Sequence, residues 1–495
     1  MSPLPWNELA FDPQSPTPIY HQLHQRIAAW IQSGRLADGA RLLPTRELAG
    51  LLGINRATVG AAYEALENQG LLKAHVGRGS FVCSAARPAP FDWEQRLAGA
   101  PAERILPQMF WTGDGDSINF SFSRPDPALF PLPKLKRAAQ RELAAQQAAI
   151  LRLGAAEGYP PLREYLSVQM RREGIAGEDD ELLITSGCQQ GLDLAAKVLI
   201  RPGDGVFLED PVYPGARDLF LAAGAQVRGI PVGAAGLSIS ELEHELARHR
   251  PRLLLVTPNF QNPTGATLPP AARRELLAVA ARFQLPVLEN DVYAGLRYRG
   301  TEPPTLKSLD RDGRVVYLRS FSKVAFPGLR VGWMVAPRVV ARRLAAAKQL
   351  TDLHTDQLSQ AVLYRLAAEG VLSEYLRELL RQGAARLEAV VNACRAEMPA
   401  GVEYLEPEGG MHVWLRLPPE QDAGELLGRA RAKKVLFVPG RFFAVSRPHT
   451  GALRLSFAGL TPEKIRQGVA VLARLIRQQA PVPALLPEGG VPALV

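Results

Sequence analysis

From about residue 116 to residue 478, short apolar segments such as Leu253 to Thr257, Pro286 to Glu289 and Val315 to Leu318 alternate with Ala/Arg/Leu-rich helical stretches. Apolar runs of that length between helix-length segments are the pattern of strands covered on both faces and joined by crossover helices. The pattern predicts a mostly parallel α/β sheet. Residues 10–83 differ in texture, being helical and closing on a short hairpin, and residues 84–115 are rich in Ala, Pro and Gly, the composition of a linker. The tail from residue 479 carries four prolines and two glycines with no periodicity, and is expected to be disordered. A chain of 495 residues with 47% hydrophobic composition exceeds one compact core, so at least two folded units are expected. No internal repeat is visible.

Composition excludes several classes. Cys83, Cys188 and Cys394 lie far apart with neither paired nor metal-ligand spacing, so a disulfide framework and a zinc site are unsupported and a reducing cytoplasm fits. Met1 to Ala10 lacks a basic start followed by an apolar core, and no uncharged apolar run reaches the ~20 residues that a membrane helix needs. Membrane insertion and secretion are disfavoured. The net charge of +9 suggests an anionic partner, but residues 1 to 82 hold seven Lys/Arg against six Asp/Glu, only +1. Arginine placement, rather than bulk charge, must locate a nucleic-acid site.

In the N-terminal unit, Ile19, Leu23, Ile27 and Ile31 recur at four-residue steps and define one face of a first helix ending near Gly34. A second helix follows Pro44 and Thr45, carrying Leu48, Leu51 and Leu52 inward. Gly53 breaks it, Asn55 caps a third helix, and Val59, Tyr63 and Leu66 form that helix's buried stripe. This is a helix-turn-helix pattern. After Gly70, Leu71 to Cys83 reads as strand, Gly77-Arg78-Gly79 tip and strand, the form of a wing. Reading DNA requires a helix with short polar and basic side chains at its N-terminal end, and arginines on phosphates. Arg46, Arg56 and Thr58 meet that need; a helical dimerisation or adaptor domain with solvated arginines is the plainer alternative. The run RLLPTRELAGLLGINRATV, then AYEAL and GRGSFV, resembles the winged helix of GntR-type regulators over most of residues 17 to 83. That family usually places a serine directly after the proline of its first motif, whereas Leu43 and Pro44 fill those two places here. The resemblance implies Arg46, Arg56, Thr58, Arg78 and Gly79 as contacts to double-stranded DNA.

The strongest chemical signal is SFSK at 320–323, just after the apolar strand and seven residues before Arg330 in GLRVG. Desolvating a lysine at a buried strand end lowers its pKa, and the neutral amine then condenses with an aldehyde cofactor. Alone, Lys323 reads as a solvated loop lysine. Its companions point to pyridoxal 5'-phosphate. A carboxylate at the ring nitrogen keeps the ring an electron sink, and Asp291, 32 positions before the lysine at the end of PVLEN, is placed for it. Tyr293 is expected on the same side if the extended form persists. Asn262, on a tight turn in NPTG, suits the ring's phenolic oxygen, although a plain turn former is the simpler reading. LLITSGCQQ at 182–190 reads as strand, turn and helix start, so Gly187, Cys188 and Gln189 offer backbone amides to the phosphate, with Ser320, Ser322 and Arg330 completing the cradle. Cys188 has no motif pairing it with a histidine, so it is a small residue rather than a nucleophile. Tyr213, in EDPVYPG, can stack on the ring's face. Arg454, within the apolar alternation LRLSF, needs an anion: either a substrate carboxylate or an internal Asp/Glu.

In the order SGCQ, DPVY, NPTG, DVY, SFSK, GLRVG and RLSF, these motifs resemble class I/II aminotransferases of fold type I over about residues 118 to 475. The resemblance implies a homodimer with cofactor sites at the subunit interface. Where relatives often read YGDP before GY, this chain reads LGAA at 153–156, so the tyrosine often sent to the partner's cofactor phosphate has no counterpart. The join of a GntR-type winged helix to an aminotransferase-like domain resembles the MocR subfamily of transcription regulators. That resemblance implies a cytoplasmic regulator sensing a small amino compound by external aldimine formation at Lys323, the altered site biasing the dimer between two arrangements of its DNA-binding modules. The alternative is a working aminotransferase acting on an amino acid, for which Lys323, Asp291, Tyr213 and Arg454 suffice.

Overall fold

A computed structural model describes residues 17–75, 77–83 and 117–478, with a few positions ahead of residue 17. The chain divides into two compact units, Met1–Ala100 and Pro101–Val495. The expected linker, 84–115, and the expected disordered tail, 479–495, lie outside the described residues. Among the described residues, no helix is long and apolar enough to cross a membrane.

The smaller unit holds α1 (Ile19–Gln32), α2 (Thr45–Leu52) and α3 (Arg56–Asn68), then β1 (Leu72–His75) and β2 (Gly79–Val82). Leu23, Ile27 and Ile31 of α1 bury against Leu48, Val59, Tyr63 and Leu66, as their spacing predicts. Leu51 departs from expectation and is half exposed. At 100° per residue it lies about 200° round the short helix from buried Ala49, so Leu48 and Ala49 take the core face instead. Gly53 ends α2 in the left-handed conformation, φ 64°, which a side chain would strain. The Asn55 side chain accepts from the Ala57 N–H at 2.9 Å and so caps α3. Tyr63 donates to the Leu43 carbonyl at 2.9 Å, fixing α3 to the segment before α2. β1 and β2 pair antiparallel, Leu72 opposite Val82 and His75 opposite Gly79, and Arg41 bridges to Phe81 as a third edge.

The larger unit opens with β3 (Ile118–Asn119), α4 (Leu132–Gln146) and α5 (Pro160–Arg172). Its main sheet comprises β4 (Asp180–Thr185), β5 (Gly205–Asp210), β6 (Gln226–Gly233), β7 (Gly236–Leu237), β8 (Leu253–Val256), β9 (Val287–Asn290), β10 (Val315–Ser320) and β11 (Gly332–Pro337). The spatial order is β4-β11-β10-β9-β8-β5-β6-β7. β10, β9, β8, β5 and β6 run parallel, while β11 lies antiparallel between β10 and β4 and β7 lies antiparallel on β6. The expected mostly parallel sheet is therefore present. Two helices follow strands directly on one face, α6 (Cys188–Leu199) after β4 and α7 (Pro214–Ala222) after β5. Leu288, Leu318 and Leu255 pack toward α6 and α7, whereas their neighbours Val287 and Leu254 pack on the opposite face.

A second sheet is formed by β12 (Glu403–Tyr404), β13 (His412–Arg416), β15 (Val438–Pro439) and β16 (Ala452–Ser456), in the order β12-β13-β16-β15; β14 (Val435–Leu436) pairs with β3. This lobe is clamped to the large sheet at Asp210. That carboxylate accepts from the N–H groups of Val445, Ser446 and Arg447 at 2.9 to 3.0 Å and from His449 at 2.8 Å.

Asn55→Ala removes the cap of α3 and is expected to cost about 1 kcal/mol of local stability. Hydrogen exchange of the full-length protein is the measurement: the first-turn amides of α3 should exchange faster, by roughly fivefold for that energy, while those of α6 stay unchanged.

Candidate functional site

The carboxyl ends of parallel strands are where an open α/β sheet gathers ligands. Here they meet around a cavity of about 150 Å³ lined by Cys188, Gln189, Leu192, Tyr213, Thr257, Asn262, Asn290, Val292, Tyr293, Ser320, Ser322, Lys323 and Arg330. They come from the chain ends of five strands, β4, β5, β8, β9 and β10. β4 hands on to α6, whose N-cap is Gly187 at φ 88° with no side-chain cap, so the first-turn N–H groups face outward uncapped. A Cβ at Gly187 would sit 2.6 Å from Arg330 Nη2, so glycine is required for this approach.

Arg330 donates to the Ser186 carbonyl at 3.0 Å and to Ser322 Oγ at 3.4 Å. Ser320 Oγ donates to Ser322 Oγ at 2.9 Å and accepts from the Ser322 N–H at 3.0 Å. Two hydroxyls, a guanidinium and a helix N-terminus thus converge, which is a phosphate cradle. Behind it, Gln190 accepts from the Ser186 N–H at 2.7 Å and donates to Asp352 at 2.6 Å, while Lys348 holds Asp352 at 2.9 Å. Burial pushes the Cys188 thiol up to about 12, which leaves it a poor nucleophile, as expected.

Lys323 points into this space and donates to the Ser123 carbonyl. Burial, with the positive charges of Arg454 and Arg330 adding to it, brings its amine down to about 8. Arg454 lies on β16, buried, donating to Asn262 Oδ1 at 2.9 Å and to the Ser121 carbonyl at 2.7 Å, with Phe443 beneath its guanidinium at 4.9 Å. No Asp or Glu pairs with it among the described residues, and its Nε has no partner, which disposes of an internal ion pair as its counter-charge. Burial holds it down at about 10. Asn262 thereby spends its oxygen on Arg454 and keeps its amide hydrogens for a ligand oxygen.

Tyr293 lines the cavity, and Asp291 lies close enough to it for its charge to act on Cys188 of the lining. The extended form ends at Asn290: the chain turns there, Ala294 N–H donating to the Asp291 carbonyl at 3.1 Å. The Asp291 carboxylate is buried, accepting from Asn259 Nδ2 at 2.8 Å and from Tyr317 at 2.9 Å. Asn259 in turn accepts from the fully buried Arg273 at 2.6 Å.

Sequence reasoning missed several members of the site. Buried His412, on β13, meets Tyr293 at 2.9 Å, Ser123 at 3.2 Å and Ser456 at 3.1 Å. Burial and the charges of Arg454 and Lys323 hold its pKa well below the ordinary value, so it is neutral. Its partners lie 44 to 289 residues away along the chain, which no local pattern signals. Asn290 was also passed over, although its place at the end of an apolar strand was visible.

In the smaller unit, Arg56 and Thr58 stand in the first turn of α3, Arg46 in the first turn of α2, and Arg78 and Gly79 at the wing tip. Arg46, Arg56 and Arg78 are exposed and make no ion pair with another described residue, while Thr58 is half-buried. Helix and wing thus offer basic groups without counter-ions among the described residues, which suits phosphate contacts.

Fold and cavity define the class: a fold type I aminotransferase-like domain joined to a winged helix-turn-helix. Residues 116–472 match the family described as aminotransferase class I and II, and residues 19–82 the family described as bacterial regulatory proteins, gntR family. The chain is 39% identical to a 2-aminoadipate transaminase of Thermus thermophilus, over 73% of this chain and 90% of that protein. It is 30% identical to the probable rhizopine catabolism regulatory protein MocR of Rhizobium meliloti, over 93% of this chain and 94% of the relative. The crystal structure of LysN, an alpha-aminoadipate aminotransferase of Thermus thermophilus complexed with N-(5'-phosphopyridoxyl)-L-leucine, superposes with a TM-score of 0.71 at 36% identity, covering 78% of this chain and 98% of that one. The chain belongs to the aminotransferase class I and II family and, through its GntR winged helix, to the MocR subfamily of regulators. Its cofactor is pyridoxal 5'-phosphate, and the residues present fit it: a desolvated lysine, an anion cradle, an amide donor and an aromatic wall.

Since only the neutral amine attacks an aldehyde, the rate at which cofactor-free protein takes up pyridoxal 5'-phosphate should rise with pH up to about 8 and level off above it. Stopped-flow absorbance of the lysine-bound cofactor measures it; a rate still climbing in proportion to hydroxide well beyond that pH would mean Lys323 is not desolvated.

Proposed function

We propose that the protein reads specific DNA sites with its winged helix and alters that binding when a small amino compound bearing a carboxylate enters the Lys323 cavity. The observation that carries the proposal is a single chain joining two sets of uncompensated cations. Lys323 lines the cavity and buried Arg454 is bonded to Asn262 of its lining, and Arg46, Arg56 and Arg78 stand exposed on a helix-turn-helix and wing.

The cofactor supplies an aldehyde carbon at which amines exchange. The chain's own residues decide which amine is accepted. Arg454 is fixed by Asn262 and the Ser121 carbonyl, with an unpartnered Nε, so its remaining hydrogens favour a carboxylate. Tyr293 and neutral His412 hold a hydroxyl beside the cavity without adding charge. Ser123 links that pair to Lys323, since its carbonyl accepts from the lysine and its hydroxyl meets His412. An effector bridging Lys323 and Arg454 therefore acts on β10 and β16 together, which suits a two-state response. A cytoplasmic homodimer, implied by the family resemblance, would set two α3 helices on two half-sites. Arg46, Arg56, Thr58, Arg78 and Gly79 are the contacts proposed. A working aminotransferase is less favoured, because a DNA-reading module has no part in transamination.

Selection of genomic fragments by the cofactor-loaded protein at near-physiological salt should retain a few sites well above non-specific background; uniform retention would sink the reading. Lys323→Ala should keep those sites and lose the response to an amino acid effector, and a normal response from that variant would exclude Lys323 as the sensor. In Arg454→Ala, the amino acid concentration giving half response should rise on the order of ten- to a hundredfold, the cost of one charged hydrogen bond, whereas a carboxylate-free amine should be unaffected.

A further inference from the structure

We infer that His412 carries its ring hydrogen on Nε2 and points it at Tyr293, so that the tyrosine keeps its own hydrogen for an acceptor in the cavity. With the cofactor bound, that acceptor is the phenolic oxygen. His412 is thus a positioning residue that acts through Tyr293. The inference deepens the reading of the Lys323 cavity given above and rests on it.

Ser456 decides where the hydrogen sits. It lies on β16 opposite His412 on β13, is 1% exposed, and its hydroxyl meets His412 Nδ1 at 3.1 Å. Among the described residues that hydroxyl has no other partner. A hydroxyl carries one donor hydrogen, and a buried donor left without an acceptor is costly. The acceptor in reach is Nδ1, which accepts only when it is bare. Burial, with the charges of Arg454 and Lys323, keeps the ring neutral, so it holds one hydrogen, and with Nδ1 bare that hydrogen is on Nε2.

Nε2 faces two oxygens, the Tyr293 hydroxyl at 2.9 Å and the Ser123 hydroxyl at 3.2 Å. The shorter contact makes Tyr293 the main acceptor. The Ser123 hydroxyl also bonds to Tyr293 and favours its ionised form, as a donor does. With its oxygen accepting, Tyr293 has its hydrogen left for the cavity that it lines. The opposite placement fails at both ends. A hydrogen on Nδ1 would point at Ser456 and strand the serine's own, and bare Nε2 would draw the tyrosine's hydrogen away from the cavity.

A hydrogen bond donated to the phenolic oxygen stabilises its negative charge, which lowers the pH at which the lysine-bound cofactor takes up a proton. That midpoint sets how much cofactor is in the protonated form that an incoming amine attacks, so His412 tunes effector uptake through Tyr293. The charged and titratable groups facing the pair are Arg454 on β16, Lys323 after β10, Tyr213 just before α7 and Cys188 at the start of α6. His412 is neutral, so exchanging it for another uncharged side chain leaves those groups in place and makes the midpoint a reading of hydrogen bonding.

The test uses the full-length protein loaded with pyridoxal 5'-phosphate. With ¹⁵N-labelled histidine, the His412 signals are those lost in His412→Gln. At neutral pH Nε2 should resonate as a nitrogen bearing hydrogen and Nδ1 as a bare one; the reverse pattern overturns the inference. A pH titration of the cofactor's absorbance is the second readout. In His412→Phe, which removes the donor, the midpoint should rise by roughly half a pH unit, about threefold in the proton equilibrium, the worth of one hydrogen bond. His412→Gln, whose amide can still donate to Tyr293, should hold the wild-type midpoint. A fall in His412→Phe means that the ring had been taking the tyrosine's hydrogen, and an unmoved midpoint that it does not act on Tyr293; either result overturns the assignment. Should His412→Phe not fold, the wild-type nitrogen resonances decide alone. The regulator reading fails separately, through absence of selected DNA sites whichever nitrogen bears the hydrogen.

Discussion

Three cations gather at one cavity. Lys323 and Arg330 line it and Arg454 reaches it through Asn262, while the buried Asp291 carboxylate is held by Asn259 and Tyr317. Burying unpaired positive charge is costly. The site tolerates it by lowering the charge, which brings Lys323 to about 8, and by leaving Arg454 bonded to an amide and a carbonyl rather than to an acid. Such a cavity is completed by an anionic ligand. The phosphate of the cofactor is one such charge, and on the proposed function the carboxylate of an effector is another.

That arrangement depends on how the second sheet is held. Arg454 and His412 lie on adjacent strands, paired antiparallel so that Trp414 faces Arg454 and His412 faces Ser456. The lobe is fixed to the main sheet by the Asp210 carboxylate at the end of β5, which gathers three successive backbone N–H groups and His449. A carboxylate accepting that many hydrogen bonds is strongly stabilised in its charged form, and its pKa is lowered. Asn262 is the reciprocal link, projecting from the main sheet to receive Arg454. On the proposed function, an effector bridging Lys323 and Arg454 pulls on the joint between two sheets.

The smaller unit follows a separate logic. Its core is apolar and complete in itself, with α1 covering α3 and a short wing, and its basic groups stand outside that core. Nothing in its packing needs an anion; its exposed arginines do. One chain thus holds two anion-seeking surfaces of different kinds, one buried and shaped for a small molecule, the other open and shaped for a duplex.

Much of this was written in local sequence. The cap at Asn55, the glycine turn at Gly187, the strands from Leu253, Val287 and Val315, the lysine after β10 and the arginine inside β16 all follow from short-range pattern, because backbone propensity and apolar period act over a few residues. One detail did not follow. Leu51 carries an apolar side chain but lies off the face that α2 buries, since Leu48 and Ala49 take the core side of that short helix. His412, Ser123 and the Asn259–Arg273 support of Asp291 were equally silent, being contacts between segments far apart in the chain. The sequence by itself determined the two folds, the cofactor lysine and the order of the motifs. Only the tertiary structure decided which distant side chains, His412 and Ser123 among them, support Tyr293 and Lys323 at the cavity, because those contacts join segments far apart in the chain.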